Sequence, residues 1–197
     1  MDRFQNTRQP DWDWWGRLWP TPGATLRQLG VSPGETVAEI GSGNGYFALP
    51  AARITAPSAV YALDIDETLL DELDDLADRN EIKNITTING DARSLTEQLP
   101  ELVDSLLIAN TFHGIDNTET FVREAYESLR PGGRFIIVNW EAKDREQTQI
   151  AGELRGPPTE LRLSAGETER TVLDAAAFDF TKAIPLPPYH YGLVFDR

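Results

Sequence analysis

Cysteine is absent from these 197 residues, and methionine occurs once. No disulfide, thiolate nucleophile or cysteine metal site is therefore available. Histidine is nearly as scarce, with only His113 and His190. That excludes a histidine-rich metal centre, and no metal is expected. No apolar run approaches the roughly eighteen residues of a membrane-spanning helix. The polar start Met1-Asp2-Arg3-Phe4-Gln5 is unlike a signal peptide. Membrane insertion is not expected, and the expected location is the cytoplasm. Lysine is the other scarcity: Lys83, Lys143 and Lys182 are the only three. With 18 basic against 32 acidic residues the net charge is −14. Such a field repels nucleic acid and anionic membrane, so neither is an expected partner. Acid-rich, lysine-poor surfaces fit proteins of salt-adapted archaea, where salt screens the self-repulsion. An ordinary acidic cytosolic protein is the plainer alternative.

What is present reads as one domain over 1–197. Hydrophobic residues make up 40% and charged residues 25% of the chain, ordinary values for a globular protein. There are no repeats or linkers. Residues 1–30 form a tryptophan-rich cap: "DWDWWGRLWP" is followed by a short predicted helix at Pro22–Leu29 that Gly30 stops. Residues 31–141 alternate apolar runs with helical patterns. Strands are predicted at Val37–Ile40, Ala59–Leu63, Ile85–Ile88, Val103–Ala109 and Arg134–Trp140. Helices are predicted at Tyr46–Ile54, Glu67–Arg79 with Asp66 as N-cap, and Thr118–Leu129, stopped by Pro131-Gly132-Gly133. This alternation argues an α/β fold, a parallel sheet covered by helices on both faces. Residues 142–197 change pattern. Ser164 and Glu167 make a capping box for a helix reaching about Ala177. Phe178–Ile184 and Tyr189–Phe195 then suit an antiparallel hairpin, with Tyr189 and Tyr191 on the face opposite His190 and core packing the default for all three.

The loop Gly41-Ser42-Gly43-Asn44-Gly45 follows the first strand and opens a helix. That context suits a nucleotide-type cofactor at a sheet's carboxyl edge. Its spacing is G-x-G-x-G, not the G-x-G-x-x-G of dinucleotide binders. Glu39 lies two residues before the first glycine, where a carboxylate repels a pyrophosphate but attracts an ammonium group. Asp64 ends the second strand about 20 residues past the loop, where a carboxylate accepts ribose hydroxyls. Asp91, in "NGDA" after the third strand, sits where one could accept the exocyclic amine of adenine. Three acids on three successive strands fit the amine, ribose and base of S-adenosylmethionine. Each has a plainer rival: a strand-end charge for Glu39, and turn or capping residues for Asp64 and Asp91.

The blocks "VAEIGSGNG", "VYALDID", "INGDA", "DSLLIANTFHGI" and "LRPGGRFIIVNWE", in that order from Val37 to Glu141, resemble the class I S-adenosylmethionine-dependent methyltransferases. Among these, the type 11/25-like domains are similar. The resemblance implies a Rossmann-like three-layer sandwich, a seven-stranded and mostly parallel sheet with its last strand antiparallel. It implies that Glu39, Gly41, Ser42, Gly43 and Gly45 hold the methionine part and that Asp64, with Ile65, holds the ribose. Asp91 and Ala92 would hold the adenine, and Asn110 and Phe112 would line the methyl-donor side with His113.

Methyl transfer from a sulfonium mainly needs alignment and exclusion of water. His113 is the best-placed candidate base, against the alternative of a loop histidine bonded to backbone. Trp15 and Trp19 are an aromatic lid on the pocket or structural cover for the sheet. Arg155 and Arg162, in "RGPPTELRL", are candidates to anchor an anionic group on the acceptor. Surface pairing with Glu153 and Glu160 is the alternative. The expected acceptor is a small molecule, and the chain a monomer or homodimer. The core blocks are also similar to quinone-type carbon methyltransferases, whereas missing cysteines argue against arsenite methylation. A nicotinamide-dependent oxidoreductase and a non-catalytic cofactor-binding subunit are the competing readings.

Overall fold

The computed structural model describes residues 4–5 and 12–197; the remainder of the tryptophan-rich cap, 1–3 and 6–11, lies outside the described residues. Its centre is a seven-stranded sheet in the order β3-β2-β1-β4-β5-β9-β8. The strands are β1 (Val37–Ile40), β2 (Val60–Asp64), β3 (Ile85–Asn89), β4 (Val103–Ala109), β5 (Leu129–Trp140), β8 (Asp179–Leu186) and β9 (His190–Asp196). The first five are parallel, and β9, last in the chain, runs antiparallel to both β5 and β8. The expected α/β sandwich and its reversed last strand are both present.

Helices cover the two faces because each carries one apolar stripe. On one face lie α1 (Trp12–Leu18), α2 (Pro22–Leu29), α3 (Ala48–Thr55) and α4 (Glu67–Arg79). Leu26, Leu29, Ala52 and Leu73 are buried there against Val60, Ile136 and Val138. On the other lie α5 (Leu95–Gln98), α6 (Thr118–Ser128) and α7 (Ala165–Ala175), which bury Leu95, Phe121 and Val172 against Leu106, Phe135 and Phe195. The alternation of β5 is visible in this division: Ile136, Val138 and Trp140 face one layer, Phe135 and Ile137 the other.

The sequence signals act as read at most helix ends. Asp66 Oδ1 accepts the Thr68 amide at 3.2 Å. Gly30 closes α2 in the left-handed region, at φ 111°. Ser164 and Glu167 form the capping box at the start of α7. Three features were not foreseen: α1, α5, and a small hairpin of β6 (Gln149–Ile150) and β7 (Glu153–Leu154). One expectation fails. Tyr189 precedes β9 rather than lying in it and stacks on Trp140 in the first layer, whereas Tyr191 enters the second. The turn at Pro187-Pro188 interrupts the strand alternation that would have put both on one face.

Candidate functional site

The sheet order reverses direction between β1 and β4, so the loops at their carboxyl ends part and leave a crevice. The glycine loop occupies one side of it. Gly41, Gly43 and Gly45 all have positive φ, at 68°, 53° and 90°. A Cβ on Gly45 would lie 2.2 Å from Leu73 Cδ1, and one on Gly41 would lie 2.9 Å from Thr111 Oγ1. Both backbone sense and space therefore require glycine. The Gly41 and Ser42 amides hydrogen-bond the Leu63 carbonyl at 2.8 and 3.1 Å, holding the loop on β2.

Asp64 fastens the middle of this loop. Its Oδ2 accepts the Gly43 amide at 2.8 Å and its Oδ1 accepts the Asp66 amide at 3.0 Å. Ile65, between them, is partly buried. Glu39 is 3% exposed. One carboxylate oxygen meets the Ala48 amide, at the N-terminus of α3, and Oε2 is buried with no hydrogen-bond partner. Burial, then the nearby Asp64 charge, push its carboxyl well above the usual range, and the Ala48 amide opposes them.

Asp91 caps the turn beginning at Ala92, which is buried. Its carboxylate also pairs with Arg93 Nη1 at 3.0 Å, while Arg93 Nη2 reaches Asp116 Oδ2 at 2.9 Å. The chain start arrives here: Arg93 lies over the Phe4 ring at 4.6 Å, and the Gln5 amide donates to the Gly114 carbonyl at 3.2 Å.

Asn110 directly follows β4 at φ 56°, an uncommon conformation for a residue with a side chain. Both its side-chain polar atoms are buried with no hydrogen-bond partner. Phe112 points away, fully buried against Phe121 in the second layer. His113 is buried, and its Nδ1 lies 3.1 Å from Asn139 Oδ1. With Asn139 Oδ1 as the acceptor, the ring proton sits on Nδ1.

Trp15 and Trp19 are buried in the core, stacked on one another at 5.2 Å. They also touch the rings directly after the glycine loop, Trp15 on Tyr46 and Trp19 on Phe47. The two arginines separate. Arg155 forms an ion pair with Glu153, whereas Arg162 is 6% exposed and does not pair with Glu160. The structure also brings Asn139 to His113 and His190 to Trp140, and for Asn139, His190 and Trp140 no site role was expected from the sequence. A polar residue closing the apolar run "FIIVN" at a strand's carboxyl end was the available signal for Asn139.

The donor set fits S-adenosylmethionine. A loop of three glycines at positive φ, an orphaned buried carboxylate oxygen, an orphaned amide and three acids suit a ligand with an ammonium and a sulfonium, and oppose a pyrophosphate.

Comparison with known proteins agrees. Residues 38–137, just over half of the chain, match the family model described as "Methyltransferase domain". The chain is 33% identical over 106 residues to a ribosomal protein L11 methyltransferase of Geobacillus thermodenitrificans, covering 54% of this chain and 32% of that protein. It is 30% identical over 129 residues to the ubiquinone/menaquinone biosynthesis C-methyltransferase UbiE of Pseudomonas entomophila, covering 63% of this chain and 48% of that protein. The chain thus spans a third to about half the length of these curated relatives. A crystal structure of a SAM-dependent methyltransferase from Aquifex aeolicus superposes with a TM-score of 0.78 over 92% of this chain and 91% of that one, at 22% identity, which shows the shared fold. On the family match, with the fold in agreement, this chain belongs to the class I S-adenosylmethionine-dependent methyltransferases.

Proposed function

We propose that this protein transfers a methyl group from S-adenosylmethionine to a small organic acceptor, acting in the cytoplasm as a monomer or homodimer. The observation that carries the small-molecule reading is the burial of the acceptor side. His113 and Trp140 are 8% and 2% exposed, and Asn139 and His190 are fully buried. Groups this enclosed suit a small acceptor better than the surface of a folded macromolecule, and the −14 charge opposes nucleic acid. The two named relatives act on different acceptors, one a ribosomal protein and one in quinone biosynthesis. The enclosed geometry favours the second kind. Among the described residues, no helix is long and apolar enough to cross a membrane.

When bound, the cofactor supplies an activated methyl group on a positively charged sulfur. Glu39 would hold its ammonium and the glycine loop its amino-acid backbone. Asp64 would accept from the ribose hydroxyls, Asp91 with Ala92 would hold the adenine, and Asn110 would border the donor side. His113, with its proton on Nδ1, directs the Nε2 lone pair elsewhere. For an acceptor that must lose a proton, that nitrogen is the candidate base. The Trp19 and Trp140 rings packed on His190 would help to exclude water.

The test is calorimetric titration with S-adenosylmethionine on wild type and Asp64→Ala, followed by a screen of small acceptors for S-adenosylhomocysteine release. Micromolar binding lost in the variant, with turnover on a small molecule, is the expected result. A folded wild type that binds no cofactor would refute the reading; turnover confined to protein acceptors would refute its small-molecule half.

A further inference from the structure

Arginines in this acidic chain find acids readily: Arg93, Arg123, Arg130, Arg134, Arg155 and Arg197 each pair with a carboxylate. Arg162 is the exception that is also buried. Its Nε donates to the Pro157 carbonyl at 3.0 Å. Its Nη2 donates to Thr148 Oγ1 at 2.9 Å and to the Arg155 carbonyl at 3.1 Å. All three partners are neutral. Nη1 is buried and has no hydrogen-bond partner.

This is not a loosely placed side chain. The guanidinium lies over the Trp140 ring at 5.1 Å. A Cβ on Gly156 would come within 2.9 Å of both Arg162 Nη2 and that ring, so the loop closes directly over them. Asp144 and Glu146 are exposed and reach it only through space, as does the opposing charge of Arg145. A buried cation with spare donors and no anion is costly unless something supplies one.

The neighbouring group has the same defect. His190 is fully buried, its ring 4.1 Å from Trp140 and 4.7 Å from Trp19, and neither ring nitrogen has a partner. A neutral imidazole still has one N–H to donate. Two buried groups with unsatisfied donors therefore both pack against Trp140.

We propose that Arg162 Nη1 and the His190 ring receive the carboxylate of an acceptor with an apolar body, enclosed by Trp19, Trp140 and the loop carrying Gly156. A single negative charge balances the single guanidinium. A phosphate dianion would overbalance it, in a chain already at −14 with Asp144 and Glu146 nearby. The tight approach of Gly156 to Arg162 and Trp140 means that its loop must shift to admit the ligand. Calling that ligand the acceptor rests on the methyl-transfer reading; the anion site itself does not.

The experiment is calorimetric titration of the full chain with benzoate, with its neutral isostere benzamide and with inorganic phosphate, each with and without S-adenosylhomocysteine. Benzoate is expected to bind at least tenfold tighter than benzamide. Arg162→Gln should lose tenfold or more in benzoate affinity, and Arg123→Gln, at an exposed ion pair, should lose none. Should Arg162→Gln fail to fold, imidazole nitrogen NMR on wild type decides, since the chain has only two histidines. Benzoate, but not benzamide, should shift the His190 resonances. Equal affinity for benzoate and benzamide, no benzoate binding, an unaltered Arg162→Gln, or phosphate displacing benzoate at equal concentration would each overturn the proposal. Benzoate binding by a protein that binds no cofactor would leave the anion site standing and sink the methyl-transfer reading instead.

Discussion

Glu39→Gln should make this protein more stable and a poorer binder of its cofactor. Glu39 is buried, with one oxygen on the Ala48 amide and Oε2 on nothing. Leaving that oxygen without a partner costs about 1–3 kcal/mol when the group is ionised. Burial and Asp64 raise the native carboxyl above its ordinary value of 4.5. The native state therefore keeps its proton after the unfolded chain has lost it, and stability falls as pH rises through the interval between the two values. Glutamine keeps the shape and removes the charge. At pH 8 the thermal midpoint should rise by roughly 2–12 °C, from about 2–4 °C per kcal/mol for a chain of this size. The same change removes a charge-assisted bond to the ligand's ammonium, worth about 1.5–3 kcal/mol, or roughly 10- to 150-fold in affinity. At a pH low enough to keep free Glu39 neutral, wild-type binding should also release a proton, visible as buffer-dependent calorimetric heat that the variant lacks. Scanning calorimetry and titration check both halves. A variant that loses stability and keeps its affinity would show that the carboxylate is a structural group and not the ammonium site.

Three further outcomes follow from the same geometry. Gly45→Ala places a methyl 2.2 Å from the buried Leu73 side chain at φ 90°, and should cost about 2–4 kcal/mol in urea denaturation; a loss under 0.5 kcal/mol would mean that the loop is not held as described. Burial and the Arg162 charge depress His190 below its ordinary value of 6.5, so protons favour the unfolded chain as pH drops below it. His190→Phe should remove up to about 1.4 kcal/mol per pH unit of acid sensitivity, measured as the difference in denaturation midpoints between pH 7 and 5, and parallel profiles for wild type and variant would contradict the assignment. With a net charge of −14, the thermal midpoint should rise as KCl approaches molar concentrations, and a flat or falling midpoint would remove the salt-adaptation reading.

What was legible in the sequence was local in cause. Alternating apolar runs and helical stripes imply layers, a G-x-G-x-G loop after a buried strand implies a close backbone approach, and Ser164 with Glu167 implies a cap, because each acts over a few residues. The shortest elements, α5 and the β6–β7 hairpin, carried too little periodicity to be read. Placement across long separations belonged to the tertiary structure. Arg155 and Arg162 look alike in the chain, yet one pairs with exposed Glu153 and the other is buried over Trp140. Asp91 was legible as a strand-end acid and pairs with Arg93 two residues on, but the contact of Phe4 with Arg93 joins segments far apart in the chain. Asn139 and His113 meet only because β4 and β5 are neighbours, and His190 reaches Trp140 only because β9 runs back along β5. Sequence determined the layers, the cofactor loop and the acids at its rim; the pairing of strands far apart in the chain decided which polar groups were left buried and unpaired, since a burial cost arises only once another segment has closed over the group.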